Sequence, residues 1–139
     1  MLVEMGDKSD DFVGSKEWIG TFEVSICIDY TYDIPCRILH CQSIREFTDN
    51  LGNLFSHFES ICSPAMIGGN IDAASKTLLG VAWNKSNPSD SHLLILDPHY
   101  SGKDDMKIIE EEGWVAWKPM NSLTPSSFYN ICLPQFSAR

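Results

Sequence analysis

Leu93-Leu94-Ile95-Leu96-Asp97-Pro98-His99-Tyr100-Ser101-Gly102 is the stretch of the chain that says most about both fold and chemistry. Its four aliphatic residues, set among turn residues, read as a sheet strand ending at Leu96. Directly after the strand come Asp97 and His99, two hydrogen-bonding side chains separated by one rigid proline. In extended backbone, residues two apart point to the same side, so both are expected to project from the strand end into one cleft. A carboxylate near an imidazole fixes its tautomer and stabilises the imidazolium, which is what a general base beside a nucleophile requires. The same residues also fit a plain turn opened by Asp-Pro and decorated by His99.

On either side of this stretch the second half of the chain continues in short apolar runs. Pro64 to Ile67, Thr77 to Trp83, Trp114 to Lys118 and Phe128 to Leu133 read as further strands, and a meander of antiparallel strands is the simplest arrangement. Met106 to Glu112 predicts a short helix stopped by Gly113. The first half reads as helical: Ser15 opens a predicted helix running toward Tyr30. Ser43 with Glu46 three residues later forms a capping box for a helix to about Ile61, which would turn Phe47, Leu51, Leu54, Phe55 and Phe58 inward. A short strand, Arg37 to Cys41, separates the two. The fold class is α+β, helices leading and an antiparallel sheet following.

The chain has 139 residues, 43% of them hydrophobic, which suits one domain over residues 1–139 with a genuine core. Lys and Arg total 10 against 19 Asp and Glu, for a net charge of −9. That balance repels phosphate backbones and anionic lipid surfaces, so nucleic acid is not an expected partner. No apolar stretch approaches the roughly 20 residues that span a bilayer, and the acidic N-terminus has neither a basic start nor a long apolar core, so no membrane insertion and a cytoplasmic setting are expected. In that setting the five cysteines, Cys27, Cys36, Cys41, Cys62 and Cys132, are expected as free thiols, most of them buried.

Other candidates carry less. Cys36, His40 and Cys41 match none of the usual zinc spacings, so neither a metal nor another cofactor is expected. Gly68-Gly69-Asn70 reads as a tight turn rather than an anion-binding nest. Trp114 and Trp117 read as buried aromatic packing, and His57 and His92 have no evident partners.

Several separated blocks, FVGSKEWIG, PAMIGGNIDAASKTLLGVAW, LLILDPHYSG, GWVAWK and FYNICLPQ, together resemble the ubiquitin-fold-modifier-specific protease family. The similarity runs in order from Met1 to about Gln135 and is closest to the family's short member. The resemblance implies a papain-like fold and a thiol-dependent protease or isopeptidase that processes precursors of the modifier and removes it from conjugates. It makes Asp97 the residue that orients the imidazole and His99 the general base. It also makes Trp18 a wall of the groove for the modifier's glycine-ending tail. The family's nucleophilic cysteine lies in a tryptophan-glycine-cysteine turn upstream of the segment where this chain starts, so the expectation is an N-terminally truncated domain, inactive as given. The alternatives are a binding module for the modifier or its conjugates and an unrelated structural use of the same sheet.

Overall fold

A computed structural model describes residues 1–71 and 75–136. Six strands form one antiparallel sheet: β1 (Cys36–Cys41), β2 (Ala65–Gly69), β3 (Lys76–Ala82), β4 (His92–Leu96), β5 (Val115–Pro119) and β6 (Tyr129–Pro134). Their order is β1-β6-β2-β3-β4-β5. The expected meander is present from β2 to β5. The last strand, however, does not close an edge: β6 lies between β1 and β2, pairing Ile38 with Cys132 on one side and Ile67 with Ile131 on the other.

Alternation along the strands sets the core. Leu39, Ile67, Leu78, Leu93, Ile95, Tyr129, Ile131 and Leu133 face Phe47, Leu51 and Leu54, which come from α2 (Ile44–Asp49) and α3 (Leu51–Ser60). Phe47 and Tyr129 meet edge to face, 6.0 Å between ring centroids. Burying Leu78, Leu93 and Ile95 at roughly 2 kcal/mol each outweighs the ~1 kcal/mol of a ladder bond lost where β4 stops. The strand leading to Asp97 is thus anchored by its own apolar face.

The helix expected from Ser43 to Ile61 is two helices. Ser43 caps it as expected, accepting the Glu46 N–H at 3.2 Å, but the Glu46 carboxylate takes the N–H of Gln42 rather than that of Ser43. Asn50 then divides it, donating from its side-chain amide to the Glu46 carbonyl at 2.9 Å, a local bond that competes with the helical ladder. Phe55 and Phe58 are half-buried, and His57 takes the inward position beside them.

On the other face of the sheet α1 (Thr21–Tyr32) packs across β1, β6 and β2. It begins six residues later than the sequence suggested. Among the described residues the Ser15 side chain accepts only the nearby Glu17 N–H, whereas the Glu23 carboxylate, tied to Lys8 at 2.7 Å, accepts the Gly20 N–H at 2.9 Å and sets the start. Residues 15–20 therefore lie outside any helix, and Trp18 stands ahead of α1. Only Thr21 of α1 is buried, and Phe22 is 58% exposed. Over β4 and β5 the paired Leu94 and Trp117 lie on one face, with Trp117 52% exposed rather than buried as its type suggested.

The glycine pair belongs to β2, not to a turn. Gly68 pairs with Asn130 and Gly69 with Tyr129, and a Cβ on Gly69 would lie 2.7 Å from the Ser127 hydroxyl. Close approach of neighbouring chain, not turn geometry, accounts for glycine there. All five cysteines are free; Cys41 and Cys132 are buried, Cys27 and Cys36 half-buried and Cys62 exposed, so fewer are interior than expected.

Candidate active site

The end of β4 builds the site from backbone outward. Asp97 N–H still reaches the Trp114 carbonyl at 2.8 Å, one bond beyond the strand. Pro98 has no N–H and ends the ladder. The chain then bends into a turn closed by the Asp97 side chain, whose Oδ1 accepts the His99 backbone N–H at 3.0 Å. The same oxygen lies 2.6 Å from His99 Nδ1. The two side chains meet as the sequence suggested, but through this turn rather than along an extended strand.

The electrostatics assign the protons. The His99 backbone N–H, the His99 ring and the charge of Lys76 together hold the Asp97 carboxyl below the usual carboxylate range, against the opposing effect of burial. An ionised carboxylate only accepts, so Nδ1 carries the proton in the bond. In the neutral ring Nε2 is then the free base, and the His99 side chain is 59% exposed against 31% for Asp97. Such an imidazole can accept a proton from a nucleophile brought to it.

Two clefts share the Gly68-Gly69 pair, and Asp97 lines the first of them. One, of about 400 Å³, is lined by Asp97, Lys76, Ile95, Trp114 and Tyr129 together with Gly68 and Gly69. The other, of about 370 Å³, is lined by Trp18, Thr21, Phe128 and Asn130, again with Gly68 and Gly69. The glycine pair is thus the sill between them. It is fixed against the start of β6, where Asn70 Oδ1 accepts the Phe128 N–H at 3.0 Å and lies 2.9 Å from the Ser127 hydroxyl. Trp18, 74% exposed, belongs to the second cleft and Asp97 to the first; His99 lines neither and stands beside Asp97.

Two features went unseen in the sequence. His40 Nδ1 lies 2.6 Å from Asn130 Oδ1 and its ring packs on Phe128, 5.5 Å between centroids, which stiffens one wall of the Trp18 cleft. Cross-strand pairing between β1 and β6 makes this contact, and nothing local to His40 announces it. His57, which had no evident partner, is buried with Nε2 3.0 Å from the Ser63 carbonyl.

No cysteine lines either cleft among the described residues. Burial pushes the Cys41 thiol up to about 11, with Glu46 adding to it, and the Cys132 thiol up to about 12, with Cys36 adding to it. Burial raises Cys36 as well. These thiols are held protonated, the opposite of what a nucleophilic cysteine needs. Among the described residues no group of three His, Cys, Asp or Glu side chains is placed to hold a metal ion, and no helix is long and apolar enough to cross a membrane.

The chain is similar to known proteins in both sequence and fold. The model of peptidase family C78 matches residues 1–132. Human Ufm1-specific protease 2 is 42% identical over 96% of this chain and 28% of its own length. The Ufm1-specific protease of Caenorhabditis elegans is 41% identical over 96% of this chain and 22% of its own length. The chain therefore spans between a fifth and a third of these relatives. The crystal structure of UfSP from C. elegans superimposes with a TM-score of 0.80 at 38% identity, covering 91% of this chain and 24% of that one. Helices around a six-stranded antiparallel sheet are here the papain-like fold of those proteases. By sequence over nearly its whole length and by fold, the chain belongs to peptidase family C78.

Proposed function

We propose that this chain is the acid–base and substrate-holding part of a thiol-dependent protease that matures Ufm1 precursors and releases Ufm1 from conjugates in the cytoplasm. The observation that carries the reading is the 2.6 Å contact between Asp97 and His99 at the end of a buried strand. In this reading Asp97 holds the imidazole tautomer and His99 takes the proton of a cysteine thiol and returns it to the leaving amine. Trp18 forms an apolar wall for the thin glycine-ending tail, which runs over the Gly68-Gly69 sill toward His99, with no side chain there to obstruct it.

In this reading the nucleophile is none of the five cysteines of residues 1–139. Two are buried with raised pKa values, and none lines either cleft. In this reading residues 1–139 are inactive by themselves, because a base and its orienting acid without a thiolate form no acyl-enzyme. Residues 1–139 and a longer product carrying a tryptophan-glycine-cysteine turn upstream are assayed on Ufm1 bearing a C-terminal extension. The longer product cleaves it and loses that activity in His99→Ala, whereas the 139-residue chain does not cleave it. Thiol-dependent turnover by the short chain would overturn this assignment of the nucleophile.

A second reading, a binding module for Ufm1 or its conjugates, is favoured by Trp18 at 74% exposure above a formed cleft. It predicts that the short chain binds Ufm1 and that Trp18→Ala weakens binding by more than about 1 kcal/mol. Equal affinity of the two proteins in a titration removes Trp18 from the groove.

A further inference from the structure

Beyond β4 the segment carrying Asp97 and His99 leaves regular structure through Pro98. A loop with few backbone bonds opens easily, so a side chain carried on it wanders unless another contact fixes it. Here the contacts converge on one residue. Trp114 accepts the Asp97 N–H through its carbonyl at 2.8 Å. Its indole ring packs against the Tyr100 ring, with centroids 5.7 Å apart and planes at 57°. Asp97 and Tyr100 flank the Pro98-His99 dipeptide, so the chain is attached to the same tryptophan on both sides of the imidazole.

Both ends of that clamp are themselves braced. Tyr100 donates its hydroxyl to the Lys103 carbonyl at 2.7 Å, and its ring lies over Gly102, where any Cβ would collide with it. Trp114 Nε1–H donates to the Glu112 carboxylate at 2.9 Å. The backbone of Trp114 is set by the end of α4 (Met106–Glu111): Gly113 N–H reaches the Glu110 carbonyl at 3.0 Å and Trp114 N–H the Ile109 carbonyl at 2.9 Å. This pair of bonds, with Gly113 at φ +77°, is a Schellman cap, which fixes the direction in which the next residue leaves the helix.

We propose that Trp114 is a positioning residue for the Asp97–His99 pair: it clamps the loop before and after the imidazole, keeping Nδ1 on the Asp97 carboxylate and Nε2 presented. The inference rests on the acid–base reading of that pair and adds a residue that acts only through Asp97 and Tyr100. If Trp114 merely filled space, its loss would lower stability without changing which ring nitrogen of His99 holds the proton.

The test reads that proton directly, by ¹⁵N-resolved imidazole spectra of the 139-residue chain at a pH where the ring is neutral, with His99 assigned by difference from His99→Gln. In the wild-type chain the Nδ1–H form predominates. Trp114→Ala keeps the carbonyl that holds Asp97 but removes the ring that holds Tyr100, and so shifts the population toward Nε2–H and speeds exchange of the His99 amide. Trp114→Phe, which keeps a ring against Tyr100, restores most of the Nδ1–H signal. Tyr100→Leu is run beside them in case Trp114→Ala fails to fold; it leaves α4 and β5 untouched and gives the same shift without a change in melting temperature. An unchanged tautomer and amide exchange in folded Trp114→Ala, or in Tyr100→Leu where the alanine variant is unfolded, overturns the clamp. A wild-type chain already dominated by the Nε2–H form overturns the acid–base reading first and the clamp with it, and it is seen before any substitution is made.

Discussion

Asp97 Oδ1 accepts two bonds from one residue, the backbone N–H and the ring of His99, so the carboxylate fixes both the turn and the imidazole. Because the backbone bond leads the lowering of its pKa, Asp97 stabilises the fold more when ionised than when protonated. The sign follows from linkage. The unfolded carboxyl titrates near ~3.9 and the folded one below that, so the contribution is present above the unfolded value and is lost as pH falls through the folded one. Asp97→Ala is therefore expected to flatten the acid side of a denaturation-midpoint profile and leave its neutral side parallel to the wild type. Urea midpoints recorded from neutral pH into the acid range decide this; parallel curves throughout would mean that the bonds add nothing to stability. This site was legible in the sequence because its two members are separated by a single residue. The clefts beside it were not, since Trp18, Gly68 and Asn130 come together only through the sheet.

At the scale of elements, the end of α3 is held by a buried histidine. His57 Nε2 lies 3.0 Å from the Ser63 carbonyl, and the Ser63 hydroxyl donates to the Pro134 carbonyl at 3.2 Å, joining α3 to the end of β6. His57 Nδ1 is buried and has no partner among the described residues. Burial consequently lowers the His57 pKa, against the raising effect of its bond to Ser63. Above the unfolded value of about 6.5 both states are neutral and the contribution is whole. As pH falls below that, the unfolded chain takes up a proton that the folded one refuses, and stability declines until the folded value is reached. His57→Gln should remove this decline, measured as the difference between the two proteins' urea midpoints across that window; a constant difference would mean that His57 does not titrate as argued. Sequence periodicity found α3 and its inward Leu51 and Leu54. It placed Phe55 and Phe58 inward as well, because it ranks an aromatic ring above a histidine and cannot see the Ser63 carbonyl that makes burying His57 acceptable. The late start of α1 has a similar cause: the decisive carboxylate, Glu23, lies inside the helix and draws on Lys8, far back in the chain.

For the whole molecule, the six strands were legible in number and approximate place and the helices in place only, one expected helix being two, whereas the seat of β6 was not legible, because local pattern carries no information about which neighbours a strand takes. The same topology leaves apolar surface open, with Trp18, Phe22 and Trp117 each more than half exposed. Surface of this kind binds apolar ligands and other copies of the chain, while a net charge of −9 opposes association until salt screens it. The 139-residue chain is thus expected to enhance the fluorescence of an anilinonaphthalene dye and to sediment faster as salt rises. Phe22→Lys and Trp117→Lys together should weaken both effects, and dye binding unaltered by the pair would locate the sticky surface elsewhere. The position of β6 has one more consequence, for the order of events during synthesis. Every other strand leaves the ribosome before it, so until Tyr129–Pro134 emerges β1 and β2 each present a raw edge with no strand between them. The nascent chain must therefore wait for β6 before this sheet can become continuous, and a ribosome that stalls just short of it leaves two templates for aggregation where the folded sheet has a seam.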